Sequence, residues 1–171
     1  RVRSDRYNQV QVAVGASAGG LEAFRRLLDA LPTPNGMAFI MVQHLDPDHD
    51  SLLVELLTPH TGLVVVEAED GAMVMADHLY LIRPRTSLAM VRGALRVAPP
   101  HEKHGLRMPI DFLMHSLAEE LGARAIAIVL SGTGLDGTKG AQAIRAKGGF
   151  VIVQDPKEAE FDGMPQGVIA A

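Results

Sequence analysis

Short β-branched and apolar runs alternate along this chain with stretches of helical spacing, and that alternation leaves few architectures other than a parallel α/β sheet. The run over 10–14, with Val10, Val12 and Val14, predicts a first strand. A helix follows in which Leu21, Phe24, Leu27, Leu28 and Leu31 recur at steps of three and four, stopped by Pro32. The continuous apolarity of 37–42 predicts a strand buried on both faces. Asp50 or Ser51 is placed to cap a helix carrying Leu52, Leu53, Leu56 and Leu57, and a third strand is expected over 63–66. From about 70 to 99 the pattern changes. His78 to Ile82, Ser87 to Val91 and Ala94 to Val97 are divided by Arg85-Thr86 and Arg92-Gly93, which reads as antiparallel hairpins. A polar connector over 99–105 leads to a helix over 109–121 with Pro109 in its first turn, then a strand over 125–130, a helix over 138–146 and a strand over 150–153. The expectation is a doubly wound α/β fold: a mainly parallel sheet, helices on both faces, and an appended antiparallel hairpin region at about 70–99.

A chain of 171 residues is one ordinary domain, so residues 1–171 are read as a single unit. It starts without Met and stops in the apolar Val168 to Ala171, as a piece of a longer protein would. The absence of cysteine removes disulfides, thiol nucleophiles and zinc–thiolate sites together, and suits a reducing, cytoplasmic compartment. A net charge of −4 speaks against a nucleic-acid footprint. The Arg25-Arg26 and Arg83-Pro84-Arg85 clusters read as ordinary solvated surface. No apolar run approaches the roughly 18 residues of a membrane span, and the N-terminus has no signal-peptide core, so no membrane insertion is expected.

Ligands of open parallel sheets bind at the carboxyl ends of the strands, and three loops fall there. Gly15-Ala16-Ser17-Ala18-Gly19 fits G-x-S-x-G, a sharp strand-to-helix turn that projects a serine oxygen beside free helix N–H groups. Its plain alternative is a glycine-rich turn with a capping serine. The second loop begins at His44, where an imidazole could take the serine proton if the two strands are neighbours. His44, Asp46, Asp48 and His49 could also be read as a metal cluster, but Pro47 and the following helix cap give the aspartates a turn-forming role, and no metal is expected. His49, His60, His78, His101, His104 and His115 read as surface, capping or structural residues. In the third loop Asp136 could orient an imidazole or simply cap the helix. That loop also contains Gly132-x-Gly134-x-x-Gly137, with Asp155 ending the next strand, so a dinucleotide-binding module is the competing interpretation. Only a Ser–His–Asp site accounts for all three loops at once.

Val14 to Gly20, Val42-Gln43-His44, Leu130 to Gly137, Val153-Gln154-Asp155 and Gly163-Met164-Pro165 occur in the order found in the chemotaxis receptor methylesterases (CheB), and the chain resembles the catalytic domain of that family over nearly its whole length. The resemblance implies a Ser17, His44, Asp136 triad on a parallel α/β fold that hydrolyses glutamate γ-methyl esters on the cytoplasmic region of chemoreceptors or related sensory proteins. It implies no cofactor, and in related enzymes the site also deamidates particular glutamines. Ala18 stands where the family often has Thr, and Thr133 where it usually has Met. The resemblance gives these two positions an oxyanion-binding role through backbone N–H groups, which survives both changes. His44-Leu45-Asp46-Pro47 and the run from Arg107 to Leu113 are closer to methylesterase domains fused to methyltransferase domains, so methyltransferase or sensory domains are expected to flank this one. No receiver domain precedes Val10, so the phosphorylation control of many relatives is expected to lie outside this chain.

Overall fold

The computed structural model describes residues 9–44, 52–100, 102–103 and 106–171. In chain order the elements are β1 (Gln11–Ala16), α1 (Gly20–Ala30), β2 (Ala38–Gln43), α2 (Leu53–Leu57), β3 (Val64–Glu67), β4 (His78–Leu81), β5 (Ser87–Val91) and β6 (Ala94–Ala98). They continue with β7 (Glu102–Lys103), β8 (Leu106–Arg107), α3 (Pro109–Leu121), β9 (Ala125–Val129), α4 (Thr138–Ala146), β10 (Phe150–Val153) and α5 (Gly163–Ala170). The expected cap at Asp50 or Ser51 lies outside the described residues, and α5 closes a segment for which the sequence predicts no element.

Six strands form one parallel sheet in the order β10-β9-β1-β2-β4-β3. The chain leaves β1 for β2 on one side and later enters β9 on the other. The winding reverses between β1 and β9, where a doubly wound sheet opens a crevice. Alternate residues divide the sheet between two cores. Val12, Val14, Phe39 and Met41 meet Phe24 and Leu28 of α1 and Leu53 and Leu57 of α2. Ala13, Ile40, Val42, Ala127 and Val129 meet Ile110, Leu113 and Met114 of α3 and Ile144 of α4. Each fully buried Leu, Ile or Phe contributes about 1.5–3 kcal/mol relative to exposure, so both faces are firmly closed and the strand ends are held in place.

The hairpin region is narrower than its sequence suggests. β4 pairs parallel with β2 (Phe39 with Leu79, Met41 with Leu81) and with β3 (Val65 with Leu79), so His78 begins a strand of the main sheet and not of a hairpin. The physical reason is burial on both faces: Leu79, Tyr80 and Leu81 are all buried, where an appended hairpin would keep one face in solvent. Antiparallel pairing holds for β5 with β6, whose turn at Arg92 (φ 51°) and Gly93 (φ 79°) has the left-handed pair typical of two-residue hairpins. Part of the polar connector itself forms the short antiparallel pair β7–β8.

Candidate active site

β1 delivers Ser17 to the crevice. The backbone leaves the strand at Ser17, turns through Gly19 (φ 75°) and enters α1, with Gly20 N–H donating to the Ser17 carbonyl at 2.9 Å. The left-handed residue of this turn is Gly19, whereas Ser17 does not have positive φ. Three contacts from other elements fix the backbone of Ser17 and Ala18. Ser17 N–H donates to the Ser131 carbonyl at 3.1 Å, Gln43 Nε2 donates to the Ser17 carbonyl at 2.9 Å, and the buried Ser131 hydroxyl donates to the Ala18 carbonyl at 2.8 Å. Ser17 Oγ accepts the Thr133 N–H at 3.0 Å and turns its own proton toward Met164 Sδ at 3.5 Å. A Cβ on Gly132 would collide with both Met164 Sδ and Ser17 Oγ, so only glycine lets this loop close over the serine. Among the described residues the Ala18 N–H has no hydrogen-bond partner.

His44 follows β2. Its N–H donates to the Ala16 carbonyl at 3.1 Å, extending the β1–β2 ladder by one step and placing its ring beside the Ser17 turn. The Nε2 atom pairs with Asp136 Oδ2 at 2.9 Å, and the imidazole side chain is 37% exposed while the carboxylate is 3% exposed. The other ring nitrogen is therefore the one left to face a reacting group. Among the described residues the ring and Ser17 Oγ share no hydrogen bond, a separation common in unliganded sites, where such bonds tighten when substrate arrives. The structure thus gathers Ser17, His44 and Asp136 at the ends of three adjacent strands, β1, β2 and β9, with the His–Asp contact formed and the Ser–His contact open.

Asp136 has a partner that the sequence alone does not reveal. Its Oδ1 accepts the Asp111 N–H at 2.8 Å and its Oδ2 the Ile110 N–H at 3.0 Å, both from the first turn of α3. In return Asp111 Oδ1 accepts the N–H groups of Gly137 at 2.9 Å and Gly140 at 2.7 Å, at the start of α4. Each carboxylate caps the helix that carries or adjoins the other, and the positive helix ends offset the burial of both charges. A Cβ at Gly140 would lie 2.6 Å from Met114 Cβ, so the glycine is what lets the two helices come this close.

Burial pushes the Asp111 carboxyl above its ordinary range; the Gly140 N–H opposes this and the Asp136 charge adds to it. Below the ordinary carboxylate range both folded and unfolded chains keep the proton. As pH rises from there to the raised value the unfolded chain releases it first, so the native state loses stability across that window. In Asp111→Asn one oxygen can still accept both N–H groups, and this loss is removed. The melting temperature of Asp111→Asn relative to the natural chain is therefore expected to rise as pH increases from about 3.5 to 7. Melting curves across this range check the sign, and a difference that stays flat would show that Asp111 does not titrate there.

The dinucleotide interpretation finds no cradle. The Gly132 N–H donates to the Phe161 carbonyl at 3.0 Å, and the Gly132 carbonyl receives the Met164 N–H at 2.9 Å, so the 154–164 segment fills the loop. Asp155 accepts the Lys157 N–H at 2.9 Å within its own turn. Of the residues weighed as metal ligands, Asp46, Asp48 and His49 lie outside the described residues, as do His101 and His104. His60 pairs with Asp29 at 2.8 Å, away from the crevice, and His78 stacks on Tyr80. Gln43, Ser131, Met164 and Asp111 shape the site without any motif marking their roles; the one available signal was that Gln43 and Ser131 end apolar runs beside His44 and the third loop.

The model of a family described as CheB methylesterase matches residues 12–171. The protein-glutamate methylesterase/protein-glutamine glutaminase of Pectobacterium atrosepticum is 33% identical over 165 residues, covering 93% of this chain and 46% of that protein. An uncharacterized 104.1 kDa protein of Rhodobacter capsulatus is 46% identical over 118 residues, covering 69% of this chain and 12% of that protein. The chain thus spans about half the length of the former and a small part of the latter. The crystal structure of the Thermotoga maritima CheB methylesterase catalytic domain superposes with a TM-score of 0.86 at 30% identity, over 95% of this chain and 88% of that one.

Proposed function

The chain belongs to the CheB methylesterase family, and on that premise we propose that it hydrolyses the γ-methyl esters of protein glutamates, with Ser17 as nucleophile, His44 as general base and Asp136 as its orienting carboxylate. The observation that carries this is the convergence of the three side chains at the ends of adjacent strands, with the His44–Asp136 contact at 2.9 Å. Ser17 Oγ attacks the ester carbonyl while its proton passes to the ring nitrogen not engaged by Asp136. The N–H groups of Thr133 and Ala18 receive the oxyanion: the first lies 3.0 Å from Ser17 Oγ and the second has no other partner among the described residues. His44 then returns the proton to the departing methanol, and water releases the acyl group by the same relay. Amide hydrolysis at particular glutamines follows the same course with ammonia leaving. No step needs a metal or organic cofactor.

The partners in this proposal are methylated cytoplasmic regions of chemoreceptors or related sensory proteins, which makes the working compartment the cytoplasm; among the described residues no helix is long and apolar enough to cross a membrane. Residues 1–171 act as one catalytic domain, and the greater length of the relatives supports flanking methyltransferase or sensory domains. A fluorophosphonate probe is expected to label one residue, Ser17, as located by peptide mass spectrometry, and a peptide carrying glutamate γ-methyl ester is expected to suppress that labelling while releasing methanol. Labelling elsewhere, or none, would remove the nucleophile; labelling without methanol release would keep the nucleophile and change the substrate.

A further inference from the structure

Gly163-Met164-Pro165 belongs to the pattern shared with the family, yet the triad assigns it no task. Met164 is the second residue of α5, and its side chain is fully buried in the core shared with α3 and α4. Two bonds hold the Ser17 hydroxyl, and neither goes to His44. The oxygen accepts the Thr133 N–H at 3.0 Å, and the proton goes to Met164 Sδ at 3.5 Å. Ser17 is 6% exposed although the imidazole beside it opens on the crevice, so the hydroxyl is tucked toward the core and not projected from its turn. The surroundings of the sulfur are tied down. Met164 N–H donates to the Gly132 carbonyl at 2.9 Å, and Gly132 N–H donates to the Phe161 carbonyl at 3.0 Å. Sulfur and hydroxyl converge on Gly132, where any Cβ would collide with both. A leucine would fill the same volume, but a thioether adds an acceptor, and a hydroxyl this deep needs one.

We propose that Met164 is a positioning residue for the reaction, a latch that keeps the Ser17 hydroxyl turned away from His44 until substrate enters. The inference rests on the reading of Ser17, His44 and Asp136 as a triad and adds a resting state to it. In that state the nucleophile's own oxygen occupies the Thr133 N–H, one of the two donors assigned to the oxyanion. An ester carbonyl that takes this donor displaces Oγ and leaves the hydroxyl held by the sulfur alone, a weak acceptor. The hydroxyl then turns to the ring nitrogen not engaged by Asp136, and its proton passes there as Oγ attacks the carbonyl carbon. No bond forms or breaks at the sulfur, which accepts a hydrogen bond in the resting state only. The latch therefore stabilises the free enzyme and not the transition state. Substrate binding has to break it, so its strength enters KM and leaves kcat alone.

The test replaces Met164 with Leu, which keeps the apolar volume and removes the acceptor. Hydrolysis of a peptide carrying glutamate γ-methyl ester and of 4-nitrophenyl butyrate is followed together with melting curves. In Met164→Leu kcat/KM is expected to rise by about two- to fivefold, the weight of one weak hydrogen bond, through a lower KM at unchanged kcat. A purely structural role would act in the other direction, lowering kcat and the melting temperature together. A kcat/KM that stays level or falls in Met164→Leu would overturn the proposal. The second measurement is a crystal structure of the natural chain labelled by a fluorophosphonate, whose phosphonyl oxygen stands in for the oxyanion. In that adduct the Thr133 N–H is expected to donate to the phosphonyl oxygen, with Ser17 Oγ beyond hydrogen-bonding distance of Met164 Sδ. An adduct that keeps Oγ at the resting 3.5 Å from the sulfur overturns the latch, and this arm decides alone where Met164→Leu does not fold. Failures are read separately. Absence of labelling at Ser17 removes the triad and the latch with it. Labelling, with the expected KM change on the aryl ester and no cleavage of the methyl ester, keeps the latch and removes the methylesterase reading.

Discussion

Alanine at Ser17 is expected to bring methanol release from a methylated peptide down to background, a loss of about 10⁶-fold on the scale of a removed triad nucleophile, while the domain melts almost unchanged. The two halves of that expectation come from different contacts. The chemistry requires the hydroxyl oxygen, and the neighbouring Ser131 hydroxyl does not take its place, because it is held by the Ala18 carbonyl and the Phe161 N–H. The fold requires the serine backbone, which Ser131, Gln43 and Gly20 hold through groups that alanine retains. What is lost structurally is one acceptor for the Thr133 N–H, and Thr133 is exposed, so water replaces it and stability changes by no more than about 1 kcal/mol. Turnover comparable to the natural chain in Ser17→Ala would refute the nucleophile. A variant that keeps its melting curve and loses both turnover and probe labelling would establish that the loss is chemical.

The parts of this molecule that sequence reasoning reaches are those where chemistry and periodicity coincide. Ser17 follows directly on an apolar run, His44 stands one residue past another, and Asp136 lies in the loop after a third, and in a parallel sheet such strand-end loops are where ligands bind whatever the strand order. The boundaries of α3, α4 and β10 are legible for a similar reason: Pro109, Gly137 and Gly149 punctuate sharply periodic segments. β4 is misread because a four-residue strand gives little periodicity, and the turn residues near it, Arg85 and Arg92, carry positive φ in both the hairpin and the crossover context. Asp111 is silent for a different reason. A carboxylate in the first turn of a helix is explained by that helix alone, yet its acceptor atom serves groups 26 and 29 residues away. The approach of the Thr133 N–H to Ser17 Oγ is invisible in the same sense, because side-chain identity does not encode where a turn will aim its backbone.

Replacing Asp136 with asparagine is expected to damage catalysis and fold together, which sets it apart from the serine variant. The Asp136 carboxylate accepts three hydrogens, from Ile110 N, Asp111 N and His44 Nε2. Asparagine offers one oxygen and an NH₂ group of nearly the same shape, so one side of the site must place donor against donor. If the oxygen serves Asp111, the NH₂ faces both the Ile110 N–H and His44. The imidazole then has to present a lone pair to it, which puts the proton on the nitrogen that should receive the serine hydrogen. Neutralising a triad carboxylate in this way lowers turnover by about 10⁴-fold. If the oxygen instead serves Ile110 and His44, the tautomer is kept but the Asp111 N–H is left facing a donor inside a buried cap, and the Asp111 side chain that holds Gly137 and Gly140 shifts with it. Either orientation orphans a buried N–H at the start of α3, a loss of about 1–3 kcal/mol. Urea melts and turnover measured on the same preparation are therefore expected to fall together in Asp136→Asn. A variant that retains turnover within tenfold of the natural chain would mean that His44 is oriented by something other than Asp136. A variant that loses turnover with no loss of stability would mean that the reciprocal caps of α3 and α4 tolerate the amide, and that the carboxylate serves the imidazole alone.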